Sequence, residues 1–163
     1  MVAVQGLFET HLTVSNLARS SAFYRDVVGL PVAHVVPERR VAFHWIGGPG
    51  TAMLGLWESS AILRLRLHFA LATTVEGMRA AIPALQSVGV ETRDFDGAPT
   101  DEPCVIGWMP AAALFFIDPD GHSVELLSML PDEPEPSIGT VSLSAWRACH
   151  VNLSGETVRT SPA

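Results

Sequence analysis

The sequence is short of charge. Only 17% of its 163 residues are Asp, Glu, Lys or Arg, against a typical share of about 25%. Apolar residues make up 48%, so disorder by composition is excluded and a packed core is within reach. This length supports one domain or two small halves sharing a core, and excludes two large independent domains. Basic residues are scarce, 10 against 17 acidic ones, giving a net charge of -7 and a pI near 5.2. That balance argues against a nucleic-acid partner, which needs a basic stripe to displace counterions from phosphates. An anionic substrate has to find local positive charge. Cysteine is nearly absent: Cys104 and Cys149 lie far apart and form no C-x-x-C pair, so neither a disulfide framework nor a cysteine zinc site is indicated. Long hydrophobic runs are missing too. No stretch approaches the roughly 18 apolar residues of a membrane span, and MVAVQGLFETHLTV lacks a basic flank before a long apolar run. A soluble cytoplasmic protein in a reduced setting, without membrane association, is the expectation.

What is present is patterned. LFETHLTV alternates apolar and polar residues up to Val14 and reads as a strand. Residues 17 to 28 place Leu17, Phe23, Tyr24, Val27 and Val28 on one helical face, with Ser15 or Asn16 to cap the start and Gly29 to end it. Strand-like runs follow at Pro31 to Val36, Val41 to Ile46 and Thr51 to Trp57, the last two joined by Gly47-Gly48-Pro49-Gly50. After Glu58-Ser59-Ser60 the order starts again. Leu63 to Ala72 is strand-like, and residues 75 to 87 read as a helix ended by Gly89 and bent at Pro83. Val90 to Phe95 resumes as a strand. A loop through Asp101, Glu102 and Cys104 leads to Ala113 to Ile117, the turn Asp118-Pro119-Asp120-Gly121, and Ser123 to Leu127.

The landmarks correspond: His11 with His68, Gly29 with Gly89, and FHWI-GGPG with FFI-DPDG. The pattern predicts an α+β fold of two tandem βαβββ modules, about 6–58 and 62–130, pairing into a cupped, mostly antiparallel eight-stranded sheet with helices outside. Such a cup holds a ligand inside. From residue 131 to 163 the chain turns proline-rich and acidic, then polar. This C-terminal tail is no third module, and Trp146 is its expected anchor onto the body or a partner subunit.

Of the six histidines, His11 and His68 stand out because they open the two modules. The plainer reading of either is a half-buried strand histidine bonded to backbone. Glu125 sits between apolar neighbours in the last strand, where a carboxylate is costly to bury without a cation or hydrogen bonds. An edge-strand glutamate facing water is its alternative. Equally spaced along the chain and drawn from three strands, the three offer two imidazoles and a carboxylate. That set suits Fe(II), Mn(II), Ni(II), Co(II) or Zn(II), with coordination positions left open.

Three stretches carry a resemblance: His11-Leu12-Thr13-Val14; Ala22-Phe23-Tyr24-Arg25-Asp26-Val27-Val28-Gly29-Leu30; and Phe116-Ile117-Asp118-Pro119-Asp120-Gly121-His122-Ser123-Val124-Glu125-Leu126. They are similar to the vicinal oxygen chelate superfamily, which includes glyoxalase I, extradiol dioxygenases, fosfomycin-modifying enzymes and bleomycin-binding proteins. The resemblance covers roughly residues 6 to 130. It implies that His11, His68 and Glu125 hold one divalent metal that chelates adjacent oxygens of a small-molecule substrate, in a homodimer. It implies a glyoxalase-like lyase or a fosfomycin-type transferase. The alternatives are a metal-free drug- or metabolite-binding protein of the bleomycin-resistance kind, or an extradiol-type dioxygenase, which the short chain disfavours. In glyoxalase I a fourth-strand glutamate is ligand and base. Gly55 stands there in this sequence, and Glu58 has the wrong strand parity to replace it. Thr13 shares the face of His11, and the resemblance to fosfomycin thiol transferases implies a role in guiding a thiol. The segment after Glu125 lacks the basic residue expected to hold a phosphonate.

Trp57, Trp45 and Phe115 are the expected walls of the pocket, with Phe43 and Trp108 nearby, although ordinary core is the plainer reading of each. Arg64 and Arg66 share strand parity with His68, and either can place positive charge near an anionic substrate. His34, His44, His122 and His150 have no motif support as ligands and read as surface or structural residues.

Overall fold

A computed structural model describes residues 2–4, 6–61 and 65–154, and side chains only through residue 150. Arg64 and the predicted strand start at Leu63 lie outside the described residues. The described residues fall into two compact units, one reaching up to His68 and including Ile117–Ser123, the other built from the rest.

In the first unit, β1 (Glu9–Val14), α1 (Leu17–Asp26), β2 (Val32–Val36), β3 (Val41–Ile46) and β4 (Ala52–Glu58) follow the predicted order. The strands lie β1-β4-β3-β2, with β1 and β4 parallel and the other pairs antiparallel. Period-two alternation sends Leu12, Val14, Ala42, Leu54 and Leu56 to a fully covered face. α1 packs on β3 and β4 and contributes buried Phe23 and Tyr24. The Asn16 side chain caps it by accepting from the Arg19 N–H at 2.9 Å. Glu58 accepts from the Leu17 N–H at 2.8 Å, setting a carboxylate on the positive end of the helix. Gly29 ends the helix at a left-handed φ of 84°.

The Asp-Pro-Asp-Gly-His turn is a polar hub of this unit. Asp118 accepts from the backbone N–H groups of Asp120 and His122 with one oxygen, and from the Tyr24 hydroxyl at 2.8 Å with the other. Asp120 accepts from the Ser15 N–H and hydroxyl, from Ser20 at 2.5 Å and from the Arg19 guanidinium at 2.9 Å. His122 Nδ1 accepts from the Leu67 N–H at 3.1 Å, leaving Nε2–H to donate to the Thr13 carbonyl at 3.0 Å. Every polar atom that burial takes from water here is given a partner. Burial and the negative charge of Asp118 push the Tyr24 phenol far up, so it remains a donor.

The second unit is built from β5 (His68–Ala72), α2 (Val75–Ser87), β6 (Cys104–Ile106), β7 (Ala111–Ile117), β8 (Ser123–Met129), β9 (Thr140–Ser142) and α3 (Leu143–Ser154), except that the end residues His68, Ile117 and Ser123 fall in the first. Its strands lie β5-β8-β7-β6-β9. The module repeats the βαβββ order of the first, with one correction. Residues 90–95 form no regular strand, and only Arg93 pairs with Phe115 on β7. The Asp94 carboxylate accepts from the Asp96 and Ala98 N–H groups and folds the chain back, so β6, inside the predicted loop, takes the β7 edge. Residues 140–154 then add a ninth strand and a third helix. Trp146 is fully buried against Val75, Met78, Val105 and Leu114, and its indole donates to Asp132 at 2.8 Å.

Trp146→Ala is expected to destabilise the fold by about 3–5 kcal/mol, the cost of emptying a large aromatic site, and urea denaturation measures it. Burial pushes the Asp120 carboxyl up, but hydrogen bonds from Ser15, Ser20 and Arg19 outweigh it and leave the pKa at about 2, below its ordinary 3.8. A depressed acid stabilises the fold above the unfolded pKa and loses that contribution as pH falls through the folded one, a difference of about 2 kcal/mol. Asp120→Asn is therefore expected to be less stable than wild type at pH 7, with the gap closing between about pH 4 and pH 2. A gap constant with pH contradicts this.

Candidate functional site

The parallel pairing of β1 and β4 sets Glu9 opposite Met53, His11 opposite Gly55 and Thr13 opposite Trp57. On the other flank, β3 sets Phe43 opposite Gly55 and Trp45 opposite Met53. Because side chains alternate, all of these lie on the face turned away from α1. The first unit thus covers one sheet face with its helix and leaves an aromatic-lined face with His11 at its middle.

The His11 side chain is 42% exposed, and its Nε2 lies 2.5 Å from Glu9 Oε1. The Trp57 indole N–H donates to His11 Nδ1. An indole N–H only donates, so Nδ1 is the acceptor and the imidazole proton sits on Nε2 facing Glu9. Phe43 meets the ring edge-on at 6.0 Å, and the Arg39 guanidinium lies 4.7 Å from the Trp57 ring centroid. Gly55 is required by this packing: a Cβ there stands 2.6 Å from His11 Nδ1 and 2.8 Å from Cε1. Glu58 reaches α1 and Arg40 and does not supply the carboxylate missing at position 55.

His68 opens β5, and its Nδ1 lies 3.2 Å from Ser123 Oγ. The Ser123 N–H donates to the Leu67 carbonyl and the Thr73 N–H to the Leu127 carbonyl, each at 2.9 Å. These bonds run β8 parallel to β5 and put Glu125 opposite Ala70. Glu125 is only 6% exposed, beside fully buried Val124.

The chemistry of the donors, imidazole nitrogen and carboxylate oxygen, fits a divalent first-row cation. Among the described residues, no three His, Cys, Asp or Glu side chains are gathered to hold a metal ion. Of the other expected residues, Trp45, Trp57 and Thr13 share the face of His11. Arg66 lies against the turn, with its Nε 3.0 Å from where a Gly121 Cβ would stand. Phe115 packs beside Cys104, Ile106 and Ala113 in the second unit. His44 is a buried structural residue between the Leu30 carbonyl and Ser21. Burial pushes its pKa down, aided by the Arg25 charge and opposed by the Leu30 bond. Glu9 and Arg39 were invisible to motif reading, because charged residues on an exposed strand or turn read as solvated surface.

Residues 6–126 match the family described as the Glyoxalase/Bleomycin resistance protein/Dioxygenase superfamily, and the chain belongs to it. An integron cassette protein from the mobile metagenome of the Halifax Harbour sewage outfall is 30% identical. Its TM-score is 0.65, over 77% of this chain and all 100% of that one. A glyoxalase/bleomycin resistance protein/dioxygenase from Nocardioides is 20% identical, with a TM-score of 0.60 over 82% of this chain and 89% of its own. A lactoylglutathione lyase from Agrobacterium tumefaciens is 21% identical, with a TM-score of 0.57 over 77% and 94%. The last two likenesses concern the fold alone. No curated protein matches the chain. Among the described residues, no helix is long and apolar enough to cross a membrane.

Gly55→Ala is expected to push the His11 ring off β4 and break its bond to Trp57. The indole loses its partner, so tryptophan emission shifts in Gly55→Ala and does not shift further in Gly55→Ala/His11→Ala. An unchanged spectrum in Gly55→Ala contradicts the packing.

Proposed function

We propose that this chain is a divalent-metal-dependent enzyme of the superfamily, a lyase or transferase acting on a small molecule that presents two adjacent oxygens. His68, Glu125 and a donor from β1, for which His11 is the sequence's candidate, hold the ion. The observation that carries this reading is the nearly buried carboxylate of Glu125 on β8, the strand beside the one that the exposed His68 opens. When bound, the metal supplies Lewis acidity toward a substrate oxygen. The chain's own groups do the rest. Trp57, Trp45 and Phe43 supply a flat apolar wall that excludes water from one side of a ligand. Arg39, stacked on Trp57, brings the positive charge that an anionic substrate needs in so acidic a protein, with Arg66 as the sequence's other candidate. Thr13, opposite Trp57 and two pairs along from His11 and Gly55, offers a hydroxyl toward the same face.

The working unit is a homodimer in the cytoplasm. In support, β1 and β2 are the outer strands of the first sheet, and Leu7 and Phe8 are exposed just before β1. Open edges with apolar flanks favour association with a partner. A second reading, a metal-free binding protein, draws on the engagement of both His11 nitrogens by Trp57 and Glu9.

Metal analysis of purified protein after incubation with Mn(II), Co(II), Ni(II), Fe(II) or Zn(II) separates the two readings. Wild type is expected to hold about one ion per site, and His68→Ala and Glu125→Gln to lose it. Equally little metal in all three, with small aromatic ligands still quenching tryptophan emission, supports the metal-free reading instead.

A further inference from the structure

The open face of the first sheet carries opposite charges at its two ends and rings between them. The register sets rows of side chains across β1 and β4: Glu9 with Met53, His11 with Gly55 and Thr13 with Trp57. On β3, Trp45 and Phe43 extend the first two rows. At one end the Glu9 carboxylate is committed to His11. At the other end the Arg39 guanidinium lies 4.7 Å from the Trp57 ring centroid. The Glu9 and Trp57 rows are four residues apart in register, roughly 13 Å at the rise of a strand.

The turn before β3 fixes Arg39 in that place. Pro37–Arg39 form a short helical turn that ends at Arg40, whose φ of 50° puts it in the left-handed region that favours glycine. The Arg40 N–H donates to the Pro37 carbonyl, and the Arg40 carbonyl accepts from the Glu58 N–H, each at 3.0 Å. The Arg40 guanidinium donates to the Glu58 carboxylate at 3.2 Å. Two successive arginines thus meet two successive residues of β4, Arg40 on Glu58 and Arg39 on Trp57. Their charges are used differently. Arg19, Arg25, Arg40 and Arg93 each lie within 3.2 Å of a carboxylate, whereas the exposed Arg39 has no carboxylate partner among the described residues. In a chain of net charge -7, this cation is left for something other than the protein's own acids.

We propose that Arg39 is the specificity-determining residue of this face and that the ligand it selects is a planar aromatic carboxylate, with the carboxylate on Arg39 and the ring lying along Trp57 and Phe43 toward His11. This names the substrate class for the reading above and rests on it for the reaction, whereas the binding itself needs only the first unit. The carboxylate is a handle, separate from the adjacent oxygens that meet the ion. A guanidinium stacked on an indole uses one flat side, and its in-plane N–H groups stay free to grip a carboxylate with two parallel bonds. Stacking also orders the side chain beforehand, so less rotamer freedom is lost on binding. The Trp57 and Gly55 rows are two residues apart, roughly 7 Å, which suits one benzene ring with its carboxylate. A dianion long enough to reach the Glu9 row is repelled there.

The test is titration of the full chain, with chelator present so that no ion contributes, using benzoate, the neutral benzamide and the non-planar cyclohexanecarboxylate as probes, followed by calorimetry and tryptophan emission. Benzoate is expected to bind and quench emission, and the other two to bind about tenfold more weakly. Arg39→Gln is expected to weaken benzoate about tenfold and to leave benzamide as it is in wild type, and Arg39→Lys, which keeps the charge without the planar fork, to fall between. Arg79→Gln, which removes the same charge from an exposed position on α2, is expected to bind benzoate as wild type does. Because Arg39 is exposed, its variants are expected to melt close to wild type. If wild type binds none of the probes, or does not prefer benzoate to benzamide, or if Arg39→Gln binds benzoate no more weakly than Arg79→Gln, the inference fails, and metal analysis of wild type and His68→Ala still decides the metal reading. If benzoate depends on Arg39 while wild type holds no metal, the inference about Arg39 stands and the metal reading fails.

Discussion

The ring of His11 lies on Gly55, and the chemistry open to the first module depends on that contact. It exists because β1 and β4 run parallel in a register that sets the two residues opposite each other. A carboxylate cannot enter position 55 while the ring is there. The ring itself is held from two sides, by the Trp57 indole and by Glu9. A glycine that reads as a lost ligand in the sequence is, in the fold, the space that lets an imidazole from the neighbouring strand reach the same place.

The rest of the first unit serves to hold that register. The Asp118 and Asp120 carboxylates bind the start of α1, the Tyr24 hydroxyl and their own turn, while His122 ties the Thr13 carbonyl to the Leu67 amide. Thr13 is two residues from His11 and Leu67 is next to His68, so this buried histidine bonds the backbone beside the first strand of each module. The motif's tyrosine, aspartates and histidine are thus structural, and their pattern marks a family because the geometry tolerates few substitutes for so many satisfied polar atoms.

Much of the fold was legible because the elements of the first module carry clean periodicity and unambiguous punctuation: Asn16 and Gly29 around α1, and the glycine-rich turn before β4. The second module was read less well where local signals conflict. Val90 to Phe95 has strand composition, but the Asp94 carboxylate captures two backbone amides and turns the chain back, leaving β6 to fill the edge. The segment after Met129 reads as a tail from its prolines and acids. Trp146, its expected anchor, enters the core, whereas the pairing of β9 with β6 shows only in the tertiary structure. His68 and Glu125, which motif and patterning single out, lie on the neighbouring strands β5 and β8. The alignment of His11 with His68 rests on residue type, whereas the matching backbone bonds, Met53 N–H to the Phe8 carbonyl and Ser123 N–H to the Leu67 carbonyl, align His68 with Glu9. Sequence periodicity shows which face a residue takes but not its offset along the partner strand.

The most direct measurement is a crystal structure of the protein loaded with Mn(II) or Co(II), with the ion located by anomalous scattering. The metal-dependent reading predicts one ion per site with His68 and Glu125 in its coordination sphere. A loaded crystal with no ion at His68 and Glu125 contradicts the metal-dependent function.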